Sequence, residues 1–405
     1  MNIQPTPMQS GIKNGQSLPG SHAAGTAGAA GDKKWTVLLY SGGDNNLDYD
    51  CIQDVIDLEK VGSDKNTNVL VQIDRGENPS EISGGWKGCR RFLIGKDNNP
   101  SAIDSPVLED LGQVNMADPK VLTDSIVWAA KSYPSEHFFL IMADHGGGWP
   151  GAMEDDSHKG WMKTGEIRSA IEEAEKQVGK KIDIVGFDAC LMASSEVGYE
   201  LRDCADFMIA SEETEGVDGW PYINIFSGKI LKSLQRALTA KLDISPDEVA
   251  KKVVKEAEGY PDTLPTLSAI ELSKMSALAR ATDRFAEKLI ATDTPPETIR
   301  SMISSTETFE GFKDQYDFAE RIAGNPGVKD EALRQAAREM MNSVRDAVIA
   351  EQHAKERTGA HGLHIELPDG SSAPPGDDYK ELGLSKDTKW DEALMKLSRQ
   401  ASENK

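Results

Sequence analysis

The residues from Phe138 to Met142 form an uninterrupted apolar run that ends in a polar, glycine-rich segment, Ala143–Gly148. A short run that is apolar at every position is typical of a strand buried on both faces of a parallel sheet. A second predicted strand, Lys181–Phe187, ends in Asp188-Ala189-Cys190. Strand patterns alternate with helical patterns from Lys33 to about Tyr222, which favours an α/β fold: a largely parallel sheet with helices on both faces.

The chain divides by pattern into four regions. Residues 1–32 are rich in Gly, Ala, Ser and Pro and contain no aromatic residue, so we predict a disordered tail there. Residues 33–226 carry the α/β pattern, and residues 227–356 are mainly helical. Residues 357–405 are predicted to hold a strand that returns to the sheet, Ala360–Glu366, and a C-terminal helix.

The charge of the chain restricts its partners. Lys and Arg number 45 against 67 Asp and Glu, which gives a net charge of −22. Such a surface repels phosphate backbones, so a nucleic-acid partner is not expected, whereas cationic peptides are attracted. No apolar run approaches the length of a membrane span. Residues 1–32 lack the apolar region of a secretory leader, so we expect a cytoplasmic location by default, with export by a leaderless route as an alternative.

Two predicted strands end in reactive side chains, His145 and Cys190. Ligands of open α/β sheets bind beyond the carboxyl ends of the strands, so we expect the imidazole and the thiol to face one crevice. A helix predicted to begin at Leu191 would favour the thiolate of Cys190 through its dipole. The three glycines after His145 would let backbone N–H groups approach an oxyanion. A Cys/His pair in this setting performs acyl transfer.

Other interpretations of these residues stay open. A single cysteine is more often a buried apolar residue than a nucleophile, and a single histidine is more often a satisfied polar residue than a catalyst. Asp188 and Asp218 either bind a cationic substrate group or act as turn and capping residues. A metal site would require a set of acidic and imidazole side chains to converge, and their spacing matches no tight ligand pattern: Asp144, His145, Asp155, Asp156 and His158.

Segments such as FFLIMADHGGGWPG at Phe138–Gly151 and IVGFDACLMASS at Ile184–Ser195 resemble the clostripain family of cysteine peptidases, and the resemblance runs from about Lys33 to Leu397. The paired DHGGGW and FDAC motifs, at Asp144–Trp149 and Phe187–Cys190, carry the most specific part of the resemblance. Further similarity lies in WTVLLYSGGDNNL from Trp35 and in SEETEGVDGWPY from Ser211.

The resemblance implies a caspase-like catalytic core over 33–226 and hydrolysis of protein or peptide substrates after Arg or Lys. His145 would be the general acid/base and Cys190 the nucleophile, with the Gly146 and Cys190 N–H groups as the oxyanion hole. Asp188 and Asp218 would line the pocket for the basic residue. The chemistry requires no cofactor and no metal; some members of the family depend on calcium, but the resemblance gives no calcium site.

Self-processing is a further expectation. The polar loop from Trp149 to Lys163 follows the His145 strand, and an enzyme that cuts after basic residues would find Lys159, followed by Gly160, the most accessible bond. Lys163 is the second most accessible cleavage position in this loop. The alternative function is a non-catalytic relative that binds basic peptides or partner proteins in the same cleft, and a metal-dependent hydrolase is the third interpretation.

Overall fold

The computed structural model describes residues 33–227, 244–368 and 376–402, and the predicted disordered tail, residues 1–32, lies outside this range. The strands of the described part are, in chain order, β1 Trp35–Gly43, β2 Thr67–Arg75, β3 Cys89–Leu93, β4 Val107–Gly112, β5 His137–Ala143, β6 Ala152–Asp155, β7 Gly160–Met162, β8 Ile182–Asp188, β9 Ala205–Ala210, β10 Thr266–Glu271, β11 Thr308–Phe309, β12 Phe312–Asp314, β13 Val348–His353 and β14 His364–Ile365.

Nine of these strands form the central sheet, in the order β13-β10-β9-β8-β5-β1-β2-β3-β4. The five central strands, from β9 to β2 in this order, are parallel to one another. Antiparallel strands extend the sheet at both edges. Parallel strands must be joined by crossovers, and here helices provide them. The predicted largely parallel sheet is therefore confirmed.

The helices cover both faces of this sheet. Alternate residues of β1 point to opposite sides: Leu38 and Tyr40 belong to one apolar core and Val37 and Leu39 to the other. Helices α2, α3 and α4 pack on the first face and α1, α5 and α6 on the second. In chain order the helices are α1 Asp48–Glu59, α2 Pro119–Ser132, α3 Thr164–Val178, α4 Ser195–Leu201, α5 Tyr222–Ser227, α6 Pro246–Ala257, α7 Met275–Ala291, α8 Pro296–Ser305, α9 Gln315–Gly324, α10 Glu331–Ala347, α11 Asp377–Lys380, α12 Gly383–Asp387 and α13 Trp390–Ser402.

The C-terminal part differs from the prediction in one strand. We expected Ala360–Glu366 to return to the main sheet, but only β14 is extended there, and it pairs with β12 in a separate three-stranded sheet. The edge of the main sheet is occupied by β13, which pairs with β10 in antiparallel orientation. The predominance of helices in the C-terminal region is confirmed, and the exact region boundaries remain predictions. No described helix has the length and apolarity to cross a membrane.

Candidate active site

Strands β5 and β8 are neighbours in the sheet and run parallel. Their last residues, Ala143 and Asp188, stand opposite each other, and the Asp144 N–H donates to the Asp188 carbonyl oxygen at 3.2 Å. His145 and Cys190 follow two residues beyond these strand ends. Both line one cleft above the sheet, as the strand patterns predict.

The segment after Cys190 is a turn rather than the predicted helix. Helix α4 begins at Ser195 with Ser194 as its N-cap, so no helix dipole acts directly on the thiol. Leu191 has a φ of +66°, in the left-handed region that L residues rarely adopt. The Cys190 Sγ accepts from the Glu215 N–H at 3.3 Å. Burial raises the pKa of the Cys190 thiol, and the Asp188 and Glu213 carboxylates add to this effect.

His145 is held by residues from two other segments. Its Nε2 lies 2.7 Å from the side-chain oxygen of Asn46, which can only accept, so Nε2 donates in this contact. The Glu154 carboxylate lies 3.8 Å from the same nitrogen. The neighbouring Asp144 accepts the His145 N–H at 2.6 Å and the Glu154 N–H at 2.9 Å. Asn46 is a contact that the sequence patterns did not indicate.

Gly146 packs directly against the Cys190 segment. A β-carbon at position 146 would lie 2.4 Å from the Cys190 carbonyl oxygen and 3.1 Å from the Cys190 nitrogen. Gly146 also forms an isolated bridge with Ala152. That bridge is made by the Met153 N–H to the His145 carbonyl and by the Gly147 N–H to the Gly151 carbonyl, so it leaves the Gly146 N–H unused.

The cleft is strongly acidic. Its lining includes five residues with carboxyl groups: Asp50, Asp54, Asp144, Asp188 and Glu215. Asp188 is 7% exposed and accepts the Tyr222 hydroxyl at 2.6 Å and the Trp220 N–H at 3.2 Å. Burial raises the pKa of Asp188. The neighbouring Gly219 has a φ of +58°, and a β-carbon there would lie 3.0 Å from an Asp188 carboxylate oxygen.

Glu215 and Asp54 also line the cleft, and sequence reasoning missed both. Burial and the nearby Asp188 charge raise the pKa of each well above its ordinary value. The Glu215 carboxyl group is buried and lies against the side chains of Asp188 and Trp220. The i, i+4 spacing of Asp50 and Asp54 on α1 indicates that they share one helix face, but not that this face points to the strand ends.

Asp218 lies beside the cleft rather than in it. Its neighbours Val217 and Gly219 line the cleft, whereas Asp218 is exposed and lines an adjoining groove together with Asp50 and Asp54. The structure thus places Asp188 in the same cleft as Cys190 and leaves Asp218 at the margin.

The predicted loop 149–163 contains an ordered hairpin of β6 and β7. Lys159 lies in its exposed turn with a φ of +53°. Lys163 is the exposed N-cap residue of α3, and its N–H donates to Glu166 at 2.9 Å. Through Glu154 the hairpin reaches His145, but no residue of 149–163 is part of the described lining of the cleft.

Of the five residues considered as metal ligands in the sequence, only Asp155 and His158 come together in the described part of the chain. Among the described residues a different trio, Asp44, Asp155 and His158, places one ligand atom each within 4.8 Å of the others. Asp155 already accepts the Met116 N–H at 3.0 Å and the His158 N–H at 2.9 Å. Two carboxylates and an imidazole do not match the roughly six to eight oxygens that calcium takes, so these residues do not fit calcium.

The remaining cysteines do not compete with Cys190. All four cysteines are described and free, and Cys190 is the one among them that is partly exposed. Cys51, Cys89 and Cys204 are buried, and burial raises the pKa of each, to about 12 for Cys204. Buried thiols with raised pKa values are unreactive.

A thiol and an imidazole at the ends of adjacent parallel strands, within this α/β sandwich, define the class of caspase-like cysteine peptidases. The sequence model of the clostripain family matches residues 39–396. The chain belongs to the clostripain family of cysteine peptidases. This confirms the predicted family, and with it the prediction of a cysteine peptidase.

Similar proteins agree with this assignment. Clostripain of Hathewaya histolytica is 24% identical, over 84% of this chain and 75% of the relative. A secreted C11 cysteine protease from Bacteroides thetaiotaomicron, solved with an irreversible peptide inhibitor, aligns with a TM-score of 0.62 and 21% identity over 89% of this chain and 99% of its own. An inactive zymogen of a C11 protease from Parabacteroides distasonis aligns with a TM-score of 0.63 and 21% identity over 88% and 99%. These likenesses confirm the caspase-like fold.

The prediction of a cytoplasmic location is wrong. It depended only on the lack of an apolar leader-like run, which does not decide where a protein acts. Two of the similar structures, both from Bacteroides thetaiotaomicron, are of proteases described as secreted.

Proposed function

We propose that this peptidase hydrolyses the peptide bond after Arg or Lys, with Cys190 as the nucleophile and His145 as the general acid/base. The observation that carries the proposal is the acidic cleft, in which the buried Asp188 carboxylate lies below the thiol-bearing segment. A cationic side chain that enters the cleft meets negative charge beside the nucleophile. The expected substrates are proteins or peptides with accessible Arg or Lys.

The first half of the reaction forms an acyl-enzyme. Burial raises the pKa of the Cys190 thiol, which favours the neutral S–H form, and a base therefore removes its proton in the reaction. His145 Nδ1 takes that proton as the sulfur attacks the carbonyl carbon. The resulting oxyanion accepts from the Gly146 and Cys190 N–H groups.

Collapse of the tetrahedral species breaks the C–N bond. The protonated His145 gives its proton to the leaving amine, which departs and leaves a thioester on Cys190. In the second half a water molecule gives a proton to His145 and attacks the thioester carbonyl. The acid product leaves, and the proton returns to the sulfur. No cofactor takes part in these steps.

Asp188 has the position expected of the main specificity residue. Its oxygen is held by Tyr222 and Trp220, so the carboxylate is fixed before a substrate arrives. The carboxyl groups of Glu215 and Asp54 line the same cleft, and Asp218 lines the adjoining groove. A charge-assisted contact in such a pocket contributes roughly 1.5–3 kcal/mol.

Self-processing after Lys159 is part of the proposal. The Lys159–Gly160 bond is in the exposed hairpin turn, whereas Lys163 lies at the start of α3 and its backbone is capped. Because Met153 and Glu154 of the hairpin contact the His145 segment, cutting the turn would loosen a contact of the catalytic base.

Inhibitor response separates the proposal from its rivals. Alkylation of purified protein with iodoacetamide should abolish hydrolysis of an Arg-terminated peptide amide, and EDTA should leave it unchanged. Loss of hydrolysis with EDTA alone would support a metal-dependent hydrolase. Tight binding of an Arg peptide without any hydrolysis would support the non-catalytic relative.

A further inference from the structure

His364 contacts the residue that follows the proposed nucleophile. Its imidazole Nε2 lies 2.7 Å from the carbonyl oxygen of Leu191. A carbonyl can only accept, so Nε2 carries the proton in this neutral ring. The side chain is fully buried, and burial lowers the pKa of His364 to about 4. Its Nδ1 has no hydrogen-bond partner within the described ranges, so the polar contact of the ring is directed to Leu191.

Leu191 is in a conformation that needs support. Its φ of +66° lies in the left-handed region, where the β-carbon of an L residue is crowded. Its N–H donates to the Glu213 carbonyl at 3.1 Å, and its carbonyl accepts from His364. Both polar backbone groups of Leu191 are therefore held. Since the φ of Leu191 sets the direction in which the chain leaves Cys190, these two bonds fix the orientation of Cys190.

The His364 ring is itself fixed on several sides. It stacks on Phe312 with 4.5 Å between ring centroids and an angle of 18° between the planes. The His364 N–H donates to the Ala193 carbonyl at 3.0 Å, and Asp314 pairs with His364 across the small sheet. The His364 Nε2–H therefore reaches the Leu191 carbonyl from a ring that β12 and β14 hold in place.

The residue directly after β14 also contacts the segment after His145. Glu366 lies two residues beyond His364, and its carboxylate accepts the Trp149 indole N–H at 2.7 Å. Trp149 directly follows the three glycines after His145. Residues 364–366 thus contact both strand-end segments of the active site.

We propose that His364 is a positioning residue, whose Nε2–H holds Leu191 in its left-handed turn and thereby orients the Cys190 N–H toward the oxyanion. This inference rests on the proposed roles of Cys190 and His145. It assigns His364 no contact with substrate. The turn is held by a neutral donor, so what matters is a hydrogen at the Nε2 position and not a charge.

The test compares two substitutions in the full chain. His364→Phe keeps an aromatic ring against Phe312 but removes the donor, and His364→Gln places an amide N–H near the position of Nε2. We expect kcat for an Arg amide to fall about ten- to hundredfold in His364→Phe with KM within twofold, since small misplacements at a reacting centre have effects of this size. His364→Gln should recover most of the loss. His353→Phe, at the partly exposed His353 of β13, is the matched control and should keep kcat.

Two further measurements separate positioning from a purely structural role. A peptide aldehyde forms a tetrahedral adduct that uses the oxyanion hole, so its affinity should fall in parallel with kcat in His364→Phe. Alkylation of Cys190 by iodoacetamide needs the thiol but no oxyanion hole, so its rate should stay within twofold. An unchanged kcat in His364→Phe would overturn the inference. It would also be overturned if kcat, the alkylation rate and Tm all fell in His364→Phe and fell by the same amounts in His364→Gln. Failure of the proposed function gives a different result from failure of this inference, because the wild-type protein itself would then not hydrolyse the Arg amide.

Discussion

The backbone of Gly146 packs against the backbone of Cys190 so closely that a β-carbon at position 146 would lie 2.4 Å from the Cys190 carbonyl oxygen. This contact joins the segment that carries the imidazole to the segment that carries the thiol. It follows from the pairing of β5 with β8, whose last residues stand opposite each other. The proposed oxyanion hole therefore depends on the absence of a side chain at one position.

The substitution Gly146→Ala tests this dependence. The new methyl group must push the two segments apart, so kcat should fall about a hundredfold, the effect expected when an oxyanion-hole donor is lost. Gly165→Ala is the control, because a β-carbon in that helical position meets nothing within 4 Å. Activity assays and thermal melts of both variants provide the check, and full activity in a folded Gly146→Ala variant would refute the predicted oxyanion hole.

Substitution of Asp188 should have opposite effects on substrate cleavage and on thiol reactivity. Asp188→Asn removes the proposed partner of the basic side chain, so kcat/KM for an Arg amide should fall about tenfold or more. The same carboxylate helps to raise the pKa of Cys190, so its loss should speed alkylation by iodoacetamide at pH 8. Asp203→Asn is the control for charge alone, since the Asp203 side chain is 82% exposed. Unaltered Arg cleavage would exclude Asp188 from the pocket.

Self-processing should depend on one lysine. Mass spectrometry of wild-type protein should show a cut between Lys159 and Gly160 that is absent from Cys190→Ala and from Lys159→Gln. Lys163→Gln is the comparison and should still be cut, because Lys163 lies at the capped start of α3. A wild-type chain that stays intact during prolonged incubation yet is fully active would contradict any role of the hairpin in processing.

Asp74 should make stability fall as the pH rises. Burial raises its pKa to about 8, and the Asp44 and Asp155 charges add to this effect. The side chain of an unfolded Asp has a pKa of about 3.9. Between these values the folded state holds a proton that the unfolded state has lost, so the free energy of unfolding decreases from about pH 4 to about pH 8.

Asp74→Asn removes this ionisation. Relative to wild type, the Tm of the variant should therefore rise at pH 8.5 and change least near pH 4.5. Asp156→Asn, at an exposed carboxylate, serves as the control for charge. Equal Tm differences at the two pH values would show that Asp74 does not titrate as the structure indicates.

The strand-end geometry could be predicted because it depends on local pattern. Continuous apolar runs identified β5 and β8, and the rule for parallel sheets placed His145 and Cys190 at one edge. Asn46 and Asp54 could not be found in this way, because they reach the site from the loop before α1 and from α1 itself. Their contribution depends on how that helix is rotated on the sheet, which periodicity alone does not give.

The hairpin and the edge strand were missed for related reasons. Residues 149–163 include an acidic, polar stretch and two glycines, as loops do, but Met153 and Met162 are fully buried and anchor the hairpin to the core. Strand β13 has the sequence VIAEQH and is only partly buried at the edge of the sheet, so it lacks the apolar pattern of the central strands. Tertiary packing, not propensity, decides both elements.

Hydrolysis of fluorogenic peptide amides that end in Arg, Lys or Asp tests the central claim most directly. The wild-type protein should cleave the Arg or Lys amide and leave the Asp amide intact. Cys190→Ala and His145→Ala should each lose nearly all of that activity while keeping a native circular dichroism spectrum, and the double variant should be little worse than either single one, because the two residues act as a unit. Wild-type turnover by a folded Cys190→Ala variant, or preference for the Asp amide, would contradict the account.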